Sequence, residues 1–140
     1  MILIWLTIEK AKLKPMNKFH RIWKLLFWIS FVGLNVLALS ATSYLPPLEI
    51  FNWWDKAQHA IAFGTLAVLA VLAFPGVSNL RIGLLLIAHG VLIEVLQYFG
   101  GYRFGDWQDA VADGVGVVLG LVLARGVVWG LLRFGLRGVM

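Results

Sequence analysis

Four apolar runs, each close to the length that crosses a lipid bilayer, leave this chain little room to be anything but a membrane protein. They cover roughly residues 22–45, 56–74, 82–99 and 107–125. A hydrocarbon core of about 30 Å takes about 20 residues of α-helix to cross. Pro46-Pro47, Pro75-Gly76 and Gly100-Gly101 close the first three runs, and proline and glycine end helices. No run alternates with the period of two that a membrane barrel strand shows. In lipid a spanning segment must satisfy its own backbone, so the runs predict helices. Composition agrees: 61% of residues are hydrophobic and mean hydropathy is +0.86, against about 45–50% apolar in a soluble domain. The expected fold is an all-α integral membrane protein, a four-transmembrane-helix bundle with short loops.

Lysine and arginine set the expected orientation. Lys10, Lys12, Lys14, Lys18, Arg21 and Lys24 flank the start of the first span. Arg81 lies between spans two and three, and Arg125, Arg133 and Arg137 follow span four. With four spans all of these fall on one side, which predicts both termini cytoplasmic and the loops 46–55 and 100–106 outward. Only Lys56 and Arg103 carry positive charge on the outward side, while Glu49, Asp55, Glu94, Asp106, Asp109 and Asp113 gather there. The net charge of +5 is thus a topology signal with some attraction to anionic lipid heads, and argues against a nucleic-acid partner. The chain has no cysteine, which excludes a disulfide framework and a thiolate metal site.

The expected divisions are a basic cytoplasmic segment over 1–21, the membrane domain over 22–125, and a basic segment over 126–140. That last segment either extends the fourth helix or lies in the interface as an amphipathic helix. Residues 18–40 resemble a signal peptide ending at Ala38-Leu39-Ser40, but the apolar run continues to Leu45 and is long enough to span. Met16 opens a more ordinary membrane start, so residues 1–15 are expected to be a dispensable lead or the product of a misjudged start codon.

Ionisable groups inside a span cost about 2.5–3.5 kcal/mol each at mid-membrane on the insertion scale. Here they share faces. On span two, Asp55, Lys56 and His59 are spaced for one helical face; on span three, Glu94 and Gln97 are three apart; on span four, Asp109 and Asp113 are four apart. At about 1.5 Å rise per residue all lie within one or two turns of the outward end. Since lipid rejects such groups, the three faces are expected to meet. Lys56 and Arg103 would hold an anion, Arg103 with a two-pronged guanidinium. His59, Glu94, Asp109 and Asp113 are the candidates for acid–base work, and Gln97 would accept or orient hydrogen bonds. Asp106, nearest water, is read as a helix cap.

No cofactor is predicted. One histidine beside hard carboxylates matches zinc poorly, and a divalent ion that prefers oxygen is the better fit should a metal enter. Ser40 and Ser43 have no motif for a nucleophile. His89 points elsewhere on its helix, about 140° from Glu94, and is expected to bond or pack between helices. Ala112, Gly116, Gly120 and Ala124 recur every four residues, a ridge that lets another backbone approach closely. It would dock within the bundle or, alternatively, on a second copy of the chain. Trp53, Trp54, Tyr98, Tyr102 and Trp107 read as an aromatic belt at the outward interface.

The segments "DKAQHAIAFGTL" and "IEVLQYFGGYRFGDWQDAVADGVGVVLG" resemble the VanZ-like family. Its pattern has Asp-Lys-x-x-His at the head of one span, Glu-x-x-Gln near the end of the next, an arginine in the short loop, and an aspartate opening the last span before an asparagine and a glycine. The matching positions are Asp55, Lys56 and His59; Glu94 and Gln97; Arg103; and Asp109. Asp113 stands where the family has asparagine, and Gly116 and Gly120 follow. The resemblance covers roughly residues 22–125. It implies a small multi-pass protein of the bacterial cytoplasmic (inner) membrane, in a family named for a protein associated with teicoplanin resistance, and a site facing the cell envelope.

Three functions fit these residues. The first is recognition of an envelope lipid or lipid-linked precursor head group. The second is a membrane-embedded hydrolase or transferase acting on a lipid-linked substrate. The third is a structural subunit whose polar cluster only fixes helix packing.

Overall fold

The computed structural model describes residues 18–40, 52–100 and 106–133. They form four helices: α1 (Lys18–Leu39), α2 (Asn52–Ala73), α3 (Asn79–Gly100) and α4 (Trp107–Arg133). Each contains a stretch long and apolar enough to cross a membrane, and no strand occurs among the described residues. The all-α, four-span reading therefore holds.

Local chemistry explains the boundaries. α2 stops at Ala73, and Phe74-Pro75-Gly76 turns the chain, with the Val77 amide donating to the Phe74 carbonyl at 2.9 Å. Ser78 stands before α3, its hydroxyl accepting from the Arg81 amide at 3.4 Å, as an N-cap residue does. α1 ends earlier than the apolar run does; residues 41–51 lie outside the described residues. α4 continues past residue 125 to Arg133. Gly126 and Gly130 weaken a helix without ending it, and no proline follows them. The guanidinium of Arg133 lies 5.0 Å from the Trp129 ring centre, a cation–π contact at the helix end.

The chain runs up and down. The end of α1, the start of α2, the end of α3 and the start of α4 meet at one end, as shown by the bonds Gln97–Ala38, Lys56–Asp106 and Glu94–Asp106. At the other end Phe27 of α1 meets Phe74 edge-on at 5.3 Å. Phe63, Leu66, Ala67 and Ala70 of α2, Ile82, Leu86 and Ile93 of α3 and Val117 of α4 build the shared apolar core. The outward faces carry leucine, valine and isoleucine, among them Leu84, Leu85, Val118 and Leu123, exposed as lipid-facing side chains are.

α2 and α4 share the most extensive interface, and glycine makes it. A Cβ at Gly116 would collide with the Ala60 carbonyl, and one at Gly120 with the Gly64 carbonyl and, at 2.9 Å, the Ala67 methyl. The small-residue ridge of α4 is therefore seated on α2 within the chain. Lipid gives helices no hydrophobic push toward each other, so this backbone-close van der Waals packing is what holds the pair.

Candidate functional site

Polar side chains from α2, α3 and α4 meet at the end where α2 begins. Lys56, on the first turn of α2, donates to Asp106 at 2.9 Å and to Asp109 at 3.2 Å. One turn deeper, His59 Nδ1 donates to Asp113 Oδ1 at 2.9 Å. Its Nε2 faces Asp109 Oδ2 at 3.9 Å, too long for a hydrogen bond. The i, i+3 and i, i+4 spacing read from the sequence thus matches two rows of partners across the glycine seam.

α3 closes the third side. Glu94 Oε2 accepts from the backbone amide of Asp106 at 2.9 Å, while Gln97 Nε2 donates to the Ala38 carbonyl of α1 at 2.8 Å. These groups are deep: Asp113 is 1% exposed, Gln97 3%, Asp109 4% and Glu94 7%. Five of the seven residues expected to bind a ligand therefore come together, Lys56, His59, Glu94, Asp109 and Asp113, while the sixth, Gln97, is buried on α3 against α1. The seventh, Arg103, lies outside the described residues, as do Tyr102 and Ser43.

Asp106 does more than cap a helix. Its side chain accepts from the Gln108 amide at 2.9 Å and its carbonyl from the Asp109 amide at 2.9 Å, which is the cap. It also grips Lys56, and its own amide anchors Glu94. The Gln108 amide first, and Lys56 second, hold its carboxyl below the usual aspartate range. Sequence reasoning left it outside the site. The available signal was its position three residues before Asp109, on the same face of the incoming chain.

His89 stands apart from this cluster. Asn35 Nδ2 is placed to donate to His89 Nε2 at 3.3 Å and to the Phe31 carbonyl at 2.7 Å, and the Phe31 ring stacks on the imidazole at 4.6 Å. It bonds and packs between α1 and α3, as expected. Trp54, Tyr98 and Trp107 all present exposed rings at the polar end, where an aromatic belt would sit.

An apolar groove of about 370 Å³ runs beside the cluster, between Ala38 and Leu39 of α1 and Leu96 and Phe99 of α3, with Gln97 in its wall. Gln97 lines the groove three residues beyond Glu94 on α3.

No curated protein and no solved structure matches the chain. The family described as VanZ/LLP1 matches it over residues 2–132, a span that takes in all four helices and every residue of the polar cluster. The chain belongs to the VanZ/LLP1 family.

Proposed function

We propose that this multi-pass membrane protein recognises the head group of a cell-envelope lipid or lipid-linked precursor at its polar end. In this reading it resides in the bacterial cytoplasmic membrane, with both termini cytoplasmic and the polar end outward. The observation that carries it is that the apolar groove reaches Gln97, which is buried on α3 one turn beyond Glu94 of the cluster. A lipid needs both environments, one for its head and one for a chain. Lys56 keeps one ammonium proton beyond the two used on Asp106 and Asp109, and Arg103 is expected at the rim for the anionic part. The acids orient these cations and accept from hydroxyl or amine donors.

The His59–Asp113 contact favours a second reading, in which the same site hydrolyses or transfers a lipid-linked group. An imidazole held by one carboxylate and facing another is the arrangement of a general base. In that case His59, Glu94, Asp109 and Asp113 are the reacting set.

The test is mass spectrometry of lipids that copurify with the chain in native-lipid particles. One head-group class should be enriched over bulk membrane, and lost both in Glu94→Gln and in Leu96→Trp, which fills the groove. Bulk composition in all three samples would sink the recognition reading. Turnover of the enriched lipid that stops in Glu94→Gln would favour the enzyme.

A further inference from the structure

Five carboxylates, Asp55, Glu94, Asp106, Asp109 and Asp113, share the polar end with one ammonium, Lys56, and one imidazole, His59, so acids outnumber cations among the described residues there. Lys56 donates to Asp106 and Asp109, the two nearer the surface. The deeper pair shows the deficit directly. Among the described residues Glu94 Oε1 and Asp113 Oδ2 are buried with no hydrogen-bond partner. An unmet buried acceptor costs about 1–3 kcal/mol, and more when charged, so such groups mark a missing partner.

Glycine on α3 makes room for the Asp113 carboxylate. A Cβ at Gly90, one turn before Glu94 on α3, would lie 2.6 Å from Asp113 Oδ2. Glycine there leaves the carboxylate room that any other residue would fill. His59, Glu94 and Asp113 each offer one ligand atom, all within 4.8 Å of one another. Ligands about 2.1 Å from one ion lie about 3.0 Å apart at right angles and about 4.2 Å apart across it. His59 Nδ1 and Asp113 Oδ1 are already 2.9 Å apart.

We infer that His59, Glu94 and Asp113 form a binding site for one divalent metal ion. One imidazole with two carboxylates suits a cation of intermediate hardness such as Mn²⁺ better than Ca²⁺ or a thiolate-seeking ion. The neighbours are arranged to hold these ligands. The Asp106 amide fixes Glu94 Oε2 and leaves Oε1 free. Asp109, held by Lys56, lies 3.9 Å from the far nitrogen of His59, on the side where a carboxylate can orient a ligating ring once the two draw closer. Three protein ligands leave further positions on the ion for water or a ligand oxygen. The site stands without any lipid, so its test uses the ion alone.

The full chain in nanodiscs is titrated with Mn²⁺, and free ion is read by electron paramagnetic resonance. One equivalent should bind. Asp113→Asn and Glu94→Gln, both close in shape to the native residue, should each weaken binding about tenfold or more. Asp55→Asn, which removes an acid from the neighbouring Asp55–His59–Asp109 group, should keep it within about twofold on the same scale. Metal-free melting of each variant checks the fold, and Mn²⁺ should raise the melting temperature of the wild type and of Asp55→Asn more than that of the two neutralised variants. Equal binding by wild type and the two neutralised variants overturns the proposal. So does loss in Asp55→Asn alone. So do neutralised variants that melt higher while the wild type takes up no metal, since the two acids would then share a proton. A negative result here leaves the head-group reading untouched, and lipid loss in Leu96→Trp leaves the metal site untouched.

Discussion

Asp106 holds four different partners with four different atoms, and its side-chain roles separate by substitution. Its carboxylate caps α4 through the Gln108 amide and pairs with Lys56, while its amide serves Glu94. Asp106→Ala loses the cap and the ion pair and should lower stability measurably. Asp106→Asn keeps a capping oxygen and should lower it by less than half as much, because a half-exposed ion pair contributes little. Unfolding in mixed micelles measures both, and equal losses would show that the pair, not the cap, dominates. The residue scale was only partly legible in the sequence. Repeat spacing brought Lys56, His59, Glu94, Asp109 and Asp113 to one place, since helical geometry alone fixes which side chains share a face. It did not say who bonds whom. Glu94 takes a backbone amide, and no side-chain pattern announces a backbone donor. Gly90 went unnoticed for the same reason: its meaning lies in what a neighbouring helix brings against it.

Glycine works in two ways along α4. Gly116 lies against the Ala60 carbonyl, whereas nothing comes within 4 Å of a Cβ placed at Gly114. Gly116→Ala should therefore force α2 and α4 apart, at a cost of about 1–3 kcal/mol. Gly114→Ala should be neutral or stabilise by up to about 1 kcal/mol through helix propensity. Thermal melting of the two variants side by side decides it; equal effects would remove the seam from the account of stability. The spans themselves were legible because proline and glycine break the apolar runs where the chain turns. The ends were less so. Hydropathy continues through Leu45 although α1 ends at Leu39, because apolar character measures compatibility with lipid and not helical geometry. It also gave no stop at residue 125, where α4 runs on to Arg133.

For the whole molecule, the antiparallel order sets the polar end opposite the Pro75–Gly76 turn, so one labelling experiment orients everything. The chain has no cysteine, which makes single-cysteine variants clean reporters. A cysteine replacing Tyr102 should react with an impermeant thiol reagent in intact cells, and one replacing Gly76 only after the membrane is opened. The reverse pattern would place the polar end in the cytoplasm and move any head group it meets to the inner leaflet.

The pairing across α2 and α4 also bears on how the protein is made. Lys56 finds its acids 50 and 53 residues downstream, and His59 finds Asp113 54 residues downstream. Glu94 likewise waits for the Asp106 amide. At about 5–20 residues per second, α2 leaves the ribosome about 3–10 s before the helix that satisfies it. During that interval its charged face has to be sheltered by the insertion machinery, by interfacial water or by α3. The polar cluster and the glycine seam both join α2 to α4, so neither can form until α4 has been made.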